Sequence, residues 1–338
     1  MPSSGTAAQC PLCGSRSLAV KTHGPLAAPV TTTSQDLRIT DAHYGRTAPL
    51  ARCQACGFIF AHPLPAADLV ALYAEMDDEE YEQSGPARLR ACRALLRACL
   101  DLAPQARSLL DVGAGTGLLC QEADAMGLEA WGVEPSRWAV ERAAARGLRV
   151  LPGTLPHPDL ADRRFDLVTL VDVIEHVADP LALLAQARRH LAPGGLLAVV
   201  TPDVGSLAAR LLGRRWWHYR LAHVGYFTPA TMTQALSRCG LRLVATRYYG
   251  WWLPGDYVLE RAARYLPLLA RLNRHLSDAT RQRLAGWQLP VKVDQIIERV
   301  YVSPFAQQWF YDLVQGIIRR YGLQIAVERS ELTGTVQR

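Results

Sequence analysis

The run LLDVGAGTG at Leu109–Gly117 constrains this chain more than any other feature. It joins an apolar stretch, a terminal carboxylate, a glycine-rich turn and the start of a helical pattern. Glycine admits positive φ and lets the backbone approach a ligand closely, so the turn reads as the floor of a binding site. The text around it alternates. Ser108–Val112, Ala130–Val133, Phe165–Val171 and Leu196–Thr201 read as buried strands, and Gly117–Met126, Arg137–Arg146 and Pro180–Leu191 as the helices between them. Short strands separated by helices of this length imply βαβ units and a parallel sheet. Pro193–Gly195 supplies a tight turn into the last strand.

The charges select the ligand. A dinucleotide site calls for G-x-G-x-x-G, with a pyrophosphate at the helix N-terminus. Here the third glycine, Gly117, comes one position early, and Leu118 occupies the expected place. Asp111 would repel phosphate but accept a cationic amine. S-adenosylmethionine (SAM) carries an ammonium and a sulfonium and no phosphate, which favours it over NAD. In AWGVEPS, Glu134 lies 21 residues after Gly113, close to the ~20 expected of an acid that accepts from ribose hydroxyls. The plainer alternative is a helix N-terminal acid near Arg137.

At 338 residues the chain has room for about two domains. The eight cysteines fall into two groups. Cys10, Cys13, Cys53 and Cys56 form two Cys-x-x-Cys pairs 39 residues apart, each followed by a glycine, whereas Cys92, Cys99, Cys120 and Cys239 sit in apolar text. Four thiolates in that pattern match tetrahedral zinc with no open ligand position, a structural site that substitutes for a small core. A redox motif is the alternative for either pair taken alone. Pro63 and Pro65 close this unit, so residues 1–65 are expected to form a zinc ribbon, 66–250 the cofactor-binding domain and 251–338 a helical extension that includes the last sheet strand. Within the last two segments, Leu241–Tyr248 reads as a strand, and Asp256–Leu276 and Phe305–Arg320 as helices.

Two histidines are candidates for chemistry. His176 ends DVIEH after the fourth strand; a helical turn there would place Asp172, Glu175 and His176 on one face. His223 lies in LAHVGYFTP, beside Trp216, Trp217, Tyr219 and Tyr226, after the fifth strand. Either imidazole titrates near neutrality and suits a general base; hydrogen bonding and packing are the plainer readings.

The net charge of +6 is unevenly spread: Val204–His275 holds eleven arginines against Asp256 and Glu260, and Glu75–Glu82 holds six acids in eight residues. The arginines suit an anionic partner or a solvated surface. Trp251 and Trp252 beside them suit a peripheral membrane patch. The opening MPSSGTAAQCPLCG lacks a basic and apolar leader, and the chain contains no ~18-residue apolar run, so a cytoplasmic location is expected.

DVGAGTG, VEPS, FDLVTLVDVIEHVADP and LAPGGLLAVVTPD resemble the successive motifs of class I SAM-dependent methyltransferases. CPLCG…CQACGFIFAHPLP and HVGYFTP are similar, more narrowly, to bacterial zinc-ribbon methyltransferases of the ubiquinone/sugar methyltransferase-like group. The resemblance implies a Rossmann-like α/β fold with a seven-stranded sheet of order 3-2-1-4-5-7-6, the last strand in sequence running antiparallel within it. It places Asp111, Gly113, Ala114, Gly115 and Gly117 around the methionine moiety and Glu134 with Pro135 on the ribose. Gly153, Thr154 and Leu155 fall on the adenine-contacting turn, and Val171 and Asp172 complete the cofactor contacts. Relatives commonly show an acid where Thr154 stands. The E-x-x-E-H of the ubiquinone-pathway O-methyltransferases implies Mg²⁺ at Asp172, Glu175 and His176. The implied acceptor is a small or carrier-linked molecule, foremost a sugar, glycan or natural-product intermediate. An RNA methyltransferase is one alternative, although the ribbon lacks aromatic and basic interleaving, and nucleic acid is not the expected partner. A cofactor-binding scaffold that docks a partner through the ribbon is the other.

Overall fold

The computed structural model describes residues 8–21, 33–38, 45–79 except 67, 82, 85–247, 251–254, 259, 275–285, 288–291, 299–302 and 326–329. The chain divides into two compact units, Met1–Val293 and Asp294–Arg338.

In the first unit, β4 (Ser108–Val112), β5 (Glu129–Glu134), β6 (Val150–Pro152), β7 (Phe165–Val171) and β8 (Leu191–Val200) form a parallel sheet of order β6-β5-β4-β7-β8. This is the expected 3-2-1-4-5. Helices Leu118–Ala125, Arg137–Ala145 and Pro180–Arg189 connect the strands as the periodicity indicates. Side chains alternate across a strand, so neighbours enter opposite cores. Leu110 and Val168 face a core shared with Ile174, Leu184 and Phe227, whereas Leu109 and Leu167 face one shared with Leu96, Leu119 and Ala123. Pro193–Gly195 lies within β8 as an outward excursion: Phe165 pairs with Leu191, but Leu167 pairs with Leu196.

The expected sixth and seventh strands are not in this sheet among the described residues. Of the strand expected at Leu241–Tyr248, residues 241–247 lie in no regular element and are largely exposed, with Val244 53% accessible, and Tyr248 falls outside the described residues. A strand requires a ladder partner, and apolar letters alone do not supply one. Instead β10 (Trp251–Pro254) and β11 (Gln288–Val291) form a separate antiparallel pair. The extension holds strands as well as helix among its described residues. Its described residues include the helix Asp278–Ala285 together with β10 and β11, and in the second unit the parallel pair β12 (Arg299–Val302) and β13 (Ala326–Arg329). The helices expected at Asp256–Leu276 and Phe305–Arg320 lie almost wholly outside the described residues.

The N-terminal module is woven into the first unit. β1 (Leu18–Lys21), β2 (Leu50–Cys53) and β3 (Ile59–Ala61) form an antiparallel sheet, completed by β9 (Gly225–Tyr226) from far along the chain. Cys10, Leu12, Cys53, Phe58 and Phe60 belong to the same core as Leu110 and Val168 of the main sheet. Full burial of a phenylalanine contributes roughly 1.5–3 kcal/mol, so Phe58 and Phe227, both about 1% exposed with ring centroids 4.8 Å apart, help weld the two layers.

Candidate active site

The strand β4 ends at Asp111–Val112, and the chain then turns through Gly113, Gly115 and Gly117, all with positive φ. Two of these glycines are required by close approach. A Cβ on Gly113 would come within 2.4 Å of Val173 Cγ2, and one on Gly117 within 2.7 Å of Leu148 Cδ1. Gly117 caps the helix Leu118–Ala125 and does not line the cavity described next.

At the C-terminal ends of β4, β5 and β7 lies a cavity of about 560 Å³, within the usual range for small-ligand sites. Asp111, Gly113, Ala114, Gly115, Glu134, Pro135, Thr154, Leu155, Val171, Asp172 and His176 all line it. Two buried carboxylates line it. Asp111 accepts a 2.7 Å hydrogen bond from Thr169 Oγ1. Burial nevertheless pushes its pKa up to about 7, with the nearby Glu134 adding to the rise. Glu134 is also raised by burial, partly offset by N–H donors of Ser136 and Gly115, each 2.8 Å away. Glu134 therefore braces the glycine turn while facing the cavity. Asp172 has φ +53°, the one non-glycine positive φ among the described residues, and marks local backbone strain at the cavity wall.

His176 ends a single 3₁₀ turn, Ile174–His176. Its Nδ1 lies 2.9 Å from the Ala222 carbonyl oxygen and 2.6 Å from the Tyr73 hydroxyl. A carbonyl only accepts, so in the tautomer that satisfies Ala222 the Nδ1 carries the proton, the Tyr73 oxygen accepts from the same N–H, and Nε2 keeps its lone pair. Burial lowers the ring's pKa to about 4, the Ala222 carbonyl opposing and Arg220 adding to the fall. His223 does not line the cavity but packs edge-on against His176, ring centroids 4.7 Å apart. Burial lowers its pKa well below the usual value, and the His176 and His218 rings contribute.

The two histidines converge with Glu175. One ligand atom from each of Glu175, His176 and His223 lies within 4.8 Å of the others, and Asp172 is not part of this group. Of the set implied by DVIEH, Glu175 and His176 come together here, and the third member of the group is His223 rather than Asp172. Glu175 Oε1 and His223 Nδ1 are buried with no hydrogen-bond partner among the described residues, while Glu175 Oε2 accepts from Thr201 Oγ1.

The four N-terminal cysteines do come together. Cys10 and Cys56 sulfurs are 3.6 Å apart, those of Cys13 and Cys53 3.5 Å, and all four lie within 4.8 Å. Tetrahedral zinc with ~2.3 Å bonds needs sulfurs about 3.8 Å apart. Backbone N–H groups of Leu12 and Cys13 bond Cys10, those of Ala55 and Cys56 bond Cys53, and that of Phe58 bonds Cys56. Gly14 and Gly57, at φ +73° and +80°, close the two knuckles. The residues fit zinc.

Sequence reasoning missed Tyr73, Thr169, Met76 and Asp78. Tyr73 comes from the helix Leu69–Ala74, and all but Thr169 line the cavity. The acidic run was the available signal. Asp77 pairs with Arg38, Glu79 with Arg142 and Glu82 with Arg146, while the Met76 carbonyl accepts from Ser136 Oγ at 2.8 Å. Those acids bind this protein's own arginines and strap the cavity.

A parallel sheet with a glycine turn, a ribose-spaced carboxylate and a cavity at the strand ends defines the class of nucleoside-cofactor-binding α/β proteins. Residues 84–246 match the profile of the methyltransferase domain family, so this part of the chain carries a methyltransferase domain. The chain is 34% identical over 150 residues to a ubiquinone biosynthesis O-methyltransferase of Cereibacter sphaeroides, covering 40% of this chain and 61% of that protein. A protein of the same name from Rhodopseudomonas palustris is 29% identical over 183 residues, covering 47% and 68%. A Thermotoga maritima SAM-dependent methyltransferase, described as a possible histamine N-methyltransferase, is 30% identical, covering 48% and 75%, at a TM-score of 0.38. The chain spans about three fifths of the length of the C. sphaeroides protein it matches. No helix among the described residues is long and apolar enough to cross a membrane.

Proposed function

We propose that this chain transfers the sulfonium methyl of SAM to a nucleophilic oxygen, nitrogen or carbon of a small or carrier-linked acceptor, foremost a sugar, glycan or natural-product intermediate. The observation that carries the reading is the pair of buried carboxylates, Asp111 and Glu134, lining one cavity. Burial disfavours the charge of both, and a cationic amine beside Asp111 and ribose hydroxyls beside Glu134 would relieve that cost. SAM supplies an already electrophilic methyl, so the chain's own work is alignment and removal of one proton. His176 serves as the base through Nε2, with Nδ1 held by Ala222 and Tyr73. His223 backs that ring. The alternative to a free base is coordination: Glu175, His176 and His223 would then hold a divalent metal, which would lower the pKa of an acceptor hydroxyl, and two imidazoles with one carboxylate suit a borderline transition metal better than Mg²⁺. Cys10, Cys13, Cys53 and Cys56 would hold structural zinc. The O-methyltransferase names of the two curated relatives support oxygen as the first acceptor atom to test.

The test is incubation with methyl-labelled SAM and separate nucleotide-sugar, lipid and RNA pools. Label in the sugar or another small-molecule fraction supports the reading. Label confined to RNA, or binding of SAM without transfer to any pool, overturns it.

A further inference from the structure

The Cys₄ ribbon touches the reaction centre through a few backbone atoms. Its last strand, β3, pairs antiparallel with β9, Ile59 opposite Tyr226 and Phe60 opposite Gly225. The Ala61 N–H donates to the Val224 carbonyl at 2.8 Å. On its other side, the Val224 N–H donates to the Glu175 carbonyl at 2.8 Å. Val224 is thus clamped between the ribbon and the turn that carries His176, and His223 immediately precedes it. Side chains tighten the clamp. A Cβ on Gly225 would lie 3.2 Å from Phe58 Cζ, 3.5 Å from Phe227 Cε2 and 3.9 Å from Glu175 Cα. Phe58 follows the second knuckle directly, its carbonyl accepting from the Cys53 N–H at 2.8 Å.

We propose that the ribbon is a positioning element for the reaction centre: Phe58, packed against Gly225, sets the path of residues 223–226 and so holds the His223 ring against His176. This rests on the reading of His176 and His223 as the reacting centre. The carboxylate side of the cavity does not depend on it, because Asp111 and Glu134 take their partners from Thr169, Gly115 and Ser136. The ribbon therefore acts on the acceptor side and leaves cofactor affinity alone.

Gly225→Ala tests this without an identified acceptor. Gly225 is not among the positive-φ glycines, so alanine is accepted by the backbone and acts through its contact with Phe58. The imidazole NMR signals of His176 and His223, assigned from single-histidine variants of the full chain, are the readout. Gly225→Ala is expected to move both sets of ring signals while SAM affinity by calorimetry stays within about two-fold. Adding Phe58→Leu, which shortens the opposing side chain, is expected to return the signals toward their original positions. Phe58→Leu alone is expected to disturb the His223 signals. Unmoved ring signals in both single variants, or a double variant whose shifts are the plain sum of the two singles, would overturn the proposal. Loss of SAM binding in Gly225→Ala would overturn it also, by showing that the ribbon supports the whole domain. Failure of the unaltered chain to bind SAM at all would instead sink the proposed function, and the ring signals would still decide this point.

Discussion

The Tyr73 hydroxyl sits 2.6 Å from Nδ1 of His176, a residue 103 positions further along the chain. Burial and the charge of Glu175 keep the phenol protonated, its pKa raised far above the usual value. Tyr73→Phe removes one hydrogen bond from the ring without emptying the cavity. A bond of this kind contributes on the order of 1 kcal/mol, so kcat should fall about five- to ten-fold with SAM affinity unchanged by calorimetry.

His176→Ala should lower turnover at least ~100-fold, the usual scale for a lost general base, and His223→Ala, which removes the ring packed behind it, should lower turnover by less. Cofactor affinity should change little. EDTA treatment divides the two uses of these rings: activity lost and restored by a divalent metal indicates coordination, and indifference indicates a simple base. Near-native turnover in both alanine variants would make these rings packing groups.

Asp111 gives cofactor binding a pH dependence of predictable sign. Its pKa of about 7 in the free protein means that roughly half is protonated at neutrality. An ammonium beside it favours the ionised form, so SAM affinity should rise as pH increases from 5.5 to 7.5 (roughly), with protons released on binding. Calorimetry in buffers of different ionisation enthalpy measures that release. Asp111→Ala and Glu134→Ala should each abolish binding while the circular dichroism spectrum persists.

Three buried histidines make acid costly. His176 falls to about 4 and His218 to about 3, both chiefly through burial, and His223 moves the same way. The unfolded rings titrate near 6.5, so between about 6.5 and 4 the unfolded chain binds more protons and stability declines as pH drops. The thermal midpoint should fall across that window, and His218→Gln should flatten the slope.

Freshly reduced protein should contain about one zinc per chain. Cys53→Ser should lose that metal and lower the thermal midpoint. Full metal content in the variant would count against the four-cysteine site.

The parts of this fold that were readable from the chain are those fixed by local pattern. β4 and β7 have the expected ends because an apolar run stops at a polar turn, and the helix Pro180–Arg189 begins at Pro180 with Asp179 as its cap. Leu241–Tyr248 has the letters of a strand, but pairing is a property of what lies alongside, which the letters do not carry. β9 shows the reverse case: two residues, Gly225 and Tyr226, too short for any periodicity, gain strand geometry from Ile59 and Phe60. Asp111, Glu134 and the four cysteines were legible because spacing encodes their chemistry. Tyr73 and Thr169 were not, since a hydroxyl becomes part of a site only through a partner distant in sequence. The 3₁₀ turn at Ile174–His176 hid the grouping of Glu175 with His223 in the same way.

The strap from Tyr73 to Glu82 reaches both sides of one cavity. Tyr73 holds the ring of His176, and three residues later the Met76 carbonyl takes the hydroxyl proton of Ser136, whose N–H is bound to Glu134. A ligand that orders Glu134 thus steadies the same short segment that steadies His176. The acceptor side and the nucleoside side of the cavity share one short segment as a common wall.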